Sequence, residues 1–475
     1  MTGSRLNFAT FSNIINGEHR CSDRTTFSVD PSTESRLWDV PVATTQDVED
    51  AVQSASNAFK IWSNTPFEQR VSKIAEWKQL YTQYIEEFTQ LLMAECGKPR
   101  ALAAGEANEI LSLFEHNLQL RIPEERIEDD SRIIITRHVP VGVVAAICPW
   151  NFPLVLSVGK ILPALLTGCS IIVKPSPFTP YSALKMVELA QSVFPADVVQ
   201  AIGGADSIGP ALVSHPGVNK ISFTGSSATG KRIMASAAAT LKRVTLELGG
   251  NDPAIVYPDV DIAKTAPEVV QGCCVFSGQV CVATKRVFVH ESIYEPFLKA
   301  MVDAASGIEV GKADSPSTTM GPMQNEMQYK KVQELVADCQ ARGYKFALAP
   351  RPIASDKGYY LSPSIVDNPP PTARIVTEEQ FGPIVPVLKW SDEADVIACA
   401  NGTPSGLGAS VWSSDASRAE RVGRQMQAGS VFLNSWAKTT PRAMLSGHKE
   451  SGIGGEWGSM GMLEYCNTQV LHIFK

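Results

Sequence analysis

The 475-residue sequence has no block of clustered lysine and arginine, and its formal net charge is −7. Neutralising phosphates needs concentrated positive charge, so nucleic acid is not an expected partner. The same shortage argues against an anionic membrane surface. A run of about 20 unbroken apolar residues, as a membrane span needs, is also missing. The most apolar region, 141–173, is interrupted by Pro149, Asn151, Pro153, Lys160 and Pro163 and is expected to be buried core. Residues 1–20 lack the apolar segment of a secretory signal. The final LHIFK matches no prenylation or address signal. Ten cysteines are scattered without a regular framework, three of them within QGCCVFSGQVCVATKR at 271–286. This usage suits reduced thiols, and a cytoplasmic protein is expected. Internal repeats and low-complexity segments are absent as well.

What is present is ordinary globular material: 44% apolar and 19% charged residues, in a chain long enough for several cores. Val48, Ala51, Val52, Ala55, Ala58, Phe59 and Trp62 recur at three- and four-residue spacing and predict helix across 45–93. A second helical stretch follows at 100–119. From Val141 onward, short apolar strands at 141–147, 170–174, 198–202, 220–224 and 244–247 alternate with amphipathic segments. That alternation predicts a parallel α/β sheet with crossover helices, suited to a nucleotide. A second α/β run begins after ELGGND at 246–251, with helix predicted over 262–275 and strand over 286–290. The apolar end at 470–474 can add to a sheet edge.

Several residues carry candidate chemistry. FTGSSATGKR, at 223–232, nearly matches a phosphate-cradling loop, but Arg232 stands where a Mg²⁺-binding hydroxyl belongs. Gly225 with the Ser226 and Thr229 hydroxyls can form an anion site at a helix N-terminus or simply cap a tight turn, and both readings stay open. Lys174 follows a buried strand, at the edge where open α/β sheets bind ligands; taken alone, a solvated strand-end lysine is the simpler reading. In PWNFP, two prolines stiffen the backbone around Asn151, which is either an oxyanion donor or a turn residue. Glu247, between leucines in LELGG, is either a carboxylate with a raised pKa able to act as a base or half of an ion pair. The cysteine spacing does not fit zinc, so no metal is expected. Cys273 and Cys274 fall in a helical stretch and read as core. Cys281 follows the helix-breaking SGQ and is a candidate nucleophile, which requires a positive local field or a base.

PWNFP, KPSPFTP, FTGS, ELGG, SGQVC, EEQFGP and KESGIG occur in this order. Together they make the chain resemble an NAD(P)-dependent aldehyde dehydrogenase of the hydrolytic type, from about Asn16 to the C-terminus. The resemblance implies a Rossmann-like cofactor domain over 1–122 and 141–247. It also implies an α/β catalytic domain over 248–450 and a bridging, oligomerising β element from 123–140 and 451–475. It implies Cys281 as nucleophile, Asn151 as oxyanion donor and Glu247 as the base that hydrolyses a thioester. On the cofactor side it implies Trp150, Lys174, Gly225, Ser226, Glu379 and Phe381. Phe152, Val275, Phe276, Val280, Val282 and Trp436 are expected to line the aldehyde pocket, by family position or apolar context, which favours an apolar or aromatic substrate. A homodimer or homotetramer is expected.

Three departures from the family pattern stand out. Pro177 occupies the position where many NAD-preferring relatives carry a glutamate that repels a 2′-phosphate. NAD is nevertheless the expected cofactor and NADP the alternative, because no added arginine for a 2′-phosphate is visible in the sequence. Val280 and Val282 make the surroundings of the nucleophile apolar. MLSG, at 444–447, replaces the PFGG of many relatives near the substrate mouth. Three rival readings are weaker. Glu247 argues against acyl transfer to coenzyme A, the retained Cys281, Glu247 and Asn151 argue against a purely structural protein, and Arg232 argues against a P-loop NTPase.

Overall fold

The computed structural model describes residues 6–204, 207–353, 355 and 357–475. The predicted helix across 45–93 is three helices, Thr45–Trp62, Phe67–Thr82 and Ile85–Cys96. Pro66 is the physical reason for the first break: it has no N–H for the ladder and disfavours helical geometry in the residue before it. Thr44 and Asp47 close a reciprocal capping box at the start of the first helix.

The alternating segment forms an eight-stranded sheet. Its five central strands are parallel, in the order Val199–Ala201, Ser170–Lys174, Val143–Ile147, Lys220–Thr224 and Arg243–Glu247. All but the N-terminal end of the last are buried, which explains their continuous apolar character. Helix Pro153–Thr167 is buried along its entire length.

A second sheet of seven strands is built around Asp252–Val256, Thr284–His290 and Ile384–Trp390, and is parallel except at the edge strand Phe346–Leu348. The C-terminal strand Cys466–Phe474 pairs antiparallel with Arg132–Pro140, which in turn pairs with Glu124–Glu128. The segment expected to bridge over 451–475 is thus divided. Gly452–Ile453 adds an antiparallel strand to the first sheet, and only Cys466–Phe474 joins the small one. Gly452 can do this because it has no side chain where the strand meets the Leu246 carbonyl. Among the described residues, no helix is long and apolar enough to cross a membrane.

Candidate active site

Cys281 lies between the helix Ile262–Cys274 and the strand Thr284–His290. The chain leaves that helix through three successive residues with positive φ: Phe276 at 47°, Ser277 at 56° and Gly278 at 73°. Such backbone is costly for non-glycine residues and has to be held by its surroundings. The Ser277 hydroxyl donates to the Gly321 carbonyl at 2.7 Å, and any side chain at Gly278 would meet the Gly382 carbonyl. Gln279 ties the loop down: its Oε1 accepts the Gln324 N–H at 2.8 Å, and its Nε2 donates to the Phe276 carbonyl at 3.1 Å.

The Asn151 amide donates to the Gln279 carbonyl at 3.0 Å, and the residue is buried. That bond fixes Asn151 two residues from Cys281 and leaves the second amide hydrogen for another acceptor. Lys285 holds the other side. Its ammonium donates to the carbonyls of Val280 and Cys281, each at 2.8 Å, and lies 3.6 Å from the Glu379 carboxylate. Glu379 accepts the Gly250 N–H at 3.1 Å. The nucleophile loop, the ELGG turn and the EEQFGP segment are therefore tied together through one lysine.

The electrostatics are not those of a resting thiolate. Burial pushes the Cys281 thiol up to about 12; Lys285 opposes this, while Glu247, Asp252 and Glu379 add to it. Glu247 is buried at the end of its strand, and its Oε1 has no hydrogen-bond partner. Burial, reinforced by Glu456 and opposed by Lys160, pushes its carboxyl up to about 8. Sequence reasoning missed the buried group behind it. Lys160 and Glu456 form an ion pair at 3.1 Å, and Glu456 also accepts from the Ser222 hydroxyl and, at 3.1 Å, from the Tyr465 hydroxyl. The available signal was Lys160 itself, a lone charge in the most apolar run of the chain. Lys285, Asp252 and Gln279 gave no comparable signal, because what matters in them is the carbonyls and carboxylates the fold brings near.

The cofactor-side residues surround the carboxyl ends of the parallel strands, where ligands bind in open α/β sheets. Lys174 and Phe223 line a cavity of about 440 Å³ together with Ile147, Thr229 and Arg232. Arg232 lies on the wall that carries Lys174. Ser226 caps the helix Ser227–Ala237 by accepting the Thr229 N–H, and the Gly225 N–H donates to the Glu247 carbonyl at 3.0 Å. The helix N-terminus and two cations fit an adenosine diphosphate. Farther along, Trp150 and Phe381 meet edge to face at 5.4 Å. Pro177 is half-buried nearby and is not among the residues lining that cavity.

Around Cys281, Val280, Val282, Leu407, Ala437, Leu445 and Trp457 form one apolar cluster. Phe152 and Phe276 meet edge to face at 5.7 Å above the Lys98 ammonium. Val275 is half-buried at the end of its helix. Trp436 packs against Gly272 and a cluster of the second sheet, and its neighbour Ala437 packs with Cys281. A larger cavity, about 740 Å³, lies beside Pro369–Pro371 and contains none of the expected catalytic residues. Among the described residues, no group of three or more histidine, cysteine or acidic side chains could hold a metal ion.

A family model described as the aldehyde dehydrogenase family matches residues 19–471. The chain belongs to the aldehyde dehydrogenase family. Aldehyde dehydrogenase LUC3 of a Fusarium species is 42% identical over 471 residues, covering 99% of this chain and all of that protein. The NAD⁺ complex of an aldehyde dehydrogenase from Bacillus cereus superposes with a TM-score of 0.95 at 34% identity, covering 98% of this chain and 96% of the other. Betaine aldehyde dehydrogenase from Staphylococcus aureus, also bound to NAD⁺, gives 0.95 at 32% identity, covering 98% and 95%. The α/β fold with two parallel sheets is that of these aldehyde dehydrogenases. As a member of the family, the protein is an NAD(P)-dependent oxidoreductase that converts an aldehyde to a carboxylic acid.

Proposed function

We propose that Cys281, Asn151 and Glu247 carry out this oxidation, on an aldehyde with an apolar or aromatic side chain. The observation that carries the reading is the convergence of three elements: a half-buried cysteine after a strained loop, an amide tethered to that loop, and a buried carboxyl with an unpaired oxygen whose charge the thiol feels. The Cys281 thiol passes its proton to solvent water as its sulfur attacks the carbonyl carbon, and the π electrons move to oxygen. Asn151 Nδ2 and the backbone N–H of Cys281 stabilise that oxyanion. Hydride acceptance is the chemistry a bound NAD(P)⁺ supplies. Loss of hydride re-forms the C=O bond and leaves a thioester on Cys281. Glu247, deprotonated above about pH 8, takes a proton from water, whose oxygen attacks the thioester. The C–S bond then breaks and the acid departs. Lys160 and Glu456 set the field in which Glu247 titrates.

Cys281→Ala is expected to lower aldehyde-dependent NAD(P)H formation by at least about a thousandfold, while Cys274→Ala keeps it. Equal losses would sink the assignment.

The cofactor residues in this reading are Trp150, Lys174, Gly225, Ser226, Glu379 and Phe381, and the proposed cofactor is NAD. Pro177 and Arg232 also leave room for NADP. Pro177→Glu should move the ratio of kcat/KM for NAD over NADP towards NAD by about tenfold; an unmoved ratio removes this role for Pro177.

The domain division in this reading is 1–122 and 141–247 for cofactor, 248–450 for catalysis, and 123–140 with 451–475 for assembly, apart from Gly452–Ile453, which pairs with the first sheet; residues 1–5 lie outside the described residues. A homodimer or homotetramer would cover the small sheet, whose Ile127 and Phe474 are 63% and 73% exposed. The scattered free thiols support a cytoplasmic location.

A further inference from the structure

We propose that Trp457 and Gly159 together set which aldehydes the pocket admits, with Trp457 as the wall and Gly159 as the notch that lets it stand back. The inference rests on the reading of Cys281 as nucleophile. Trp457 belongs to the apolar cluster that contains Cys281, Val280 and Val282. It also packs against the neighbouring core that holds Phe152 and Phe276. Its indole therefore has the helix Pro153–Thr167 on one side and, on another, the apolar cluster against which Cys281 also packs.

Two features hold it there. The first is backbone: Trp457 has φ 66° and ψ 173°, costly for a bulky side chain, and Gly458 follows with φ 61°. The residue before it is Glu456, anchored by Lys160, Ser222 and Tyr465. That anchor over-determines the turn and aims the indole. The second is space: a Cβ on Gly159 would come within 2.5 Å of the Trp457 Nε1. Glycine at 159 is thus the reason the indole can lie against the helix. Positions 159–160 and 456–457 form a matched pair of contacts, one apolar and one ionic.

Val280, Val282, Leu407, Leu445 and Trp457 present apolar surface beside Cys281, and a flat apolar acyl group is the class that fits them. A larger residue at 159 would drive the indole towards Cys281 and narrow the pocket.

The test compares kcat/KM for phenylacetaldehyde with that for propanal, at saturating cofactor. Gly159→Ala should lower the phenylacetaldehyde-to-propanal ratio about tenfold, mainly through KM for the larger aldehyde. In a Trp457→Leu background the same change should move the ratio less than twofold, because the side chain that transmits it is gone. An equal fall in both backgrounds, or no fall in either, overturns the proposal. Should Gly159→Ala fail to fold, Trp457→Leu alone decides: it should raise kcat/KM for diphenylacetaldehyde about tenfold, and an unchanged value overturns the proposal. Cys281→Ala is measured beside these variants. Activity surviving in it defeats the nucleophile reading, whatever the ratios show.

Discussion

Helix Pro153–Thr167 meets two buried lysine–glutamate pairs, and they do different work. At its N-terminus, Lys98 and Glu106 are fully buried. Glu106 also accepts the N–H groups of Leu154 and Val155, both at 3.1 Å, and Lys98 lies 3.6 Å from the centre of the Phe152 ring. Every charge there has a partner, and the pair caps the helix whose entrance carries Asn151. One and a half turns later, Lys160 pairs with Glu456 beside Glu247, whose Oε1 is bonded to nothing. An unpaired buried carboxyl oxygen destabilises the fold and is retained where chemistry needs it. The lesson is that a buried charge alone does not mark a base; nor does an orphaned oxygen alone, since both carboxyl oxygens of Asp252 also lack partners.

The comparison breaks if the two sites respond alike to loss of charge. Glu247→Gln should slow turnover by about a hundredfold or more with little change in thermal stability. It should also leave an acyl mass increment on the peptide containing Cys281 after brief exposure to aldehyde. Glu106→Gln should instead leave Lys98 uncompensated and cost about 3–5 kcal/mol of stability, seen in the unfolding transition, with activity per folded molecule largely kept. Normal turnover in the first variant, or normal stability in the second, would reverse the roles assigned here.

A smaller effect sharpens the link from the second pair to Glu247. Lys160 lowers the Glu247 pKa and Glu456 raises it. Lys160→Met should therefore move the pH–rate inflection for thioester hydrolysis above about 8, and Glu456→Gln should move it below. Parallel shifts in one direction would disconnect the pair from the base.

The smallest effect concerns Glu95, another buried carboxyl, pushed by burial up to about 7 despite accepting the Tyr181 and Ser182 N–H groups at 2.9 and 3.1 Å. Its folded pKa lies above the ordinary 4.5, so its share of stability is full below pH 4.5 and is lost as pH rises through about 7. Glu95→Gln should remove that slope, of order 3 kcal/mol at most, from stability measured between pH 4.5 and 8. An unaltered slope would show that Glu95 does not titrate with folding. The raised pKa of Glu95 is thus expressed as pH-dependent stability.

How legible each feature was depended on its range in the sequence. Strands 170–174 and 220–224 lie where the alternation of apolar segments put them, because a buried parallel strand is apolar on both faces. The helix over 262–275 ends at Cys274, two residues before the chain turns left-handed and local pattern stops being a guide. Trp436 illustrates the same limit: its apolar context was visible, but its packing against Gly272 depends on how the chain returns.

By itself, the sequence determined the α/β class, the family motifs in their order and the residue types able to act: a thiol, an amide and a carboxyl. These are local or ordered features, written in periodicity and short motifs. The tertiary structure alone decided the rest: Lys160 beside Glu247, Lys285 under the Cys281 loop, Arg232 on the wall with Lys174, and Trp457 in the space left by Gly159. Trp457 and Gly159 are almost 300 positions apart, and Lys160 and Glu456 nearly as far. Their chemistry comes from burial and proximity, which no local pattern in the chain specifies.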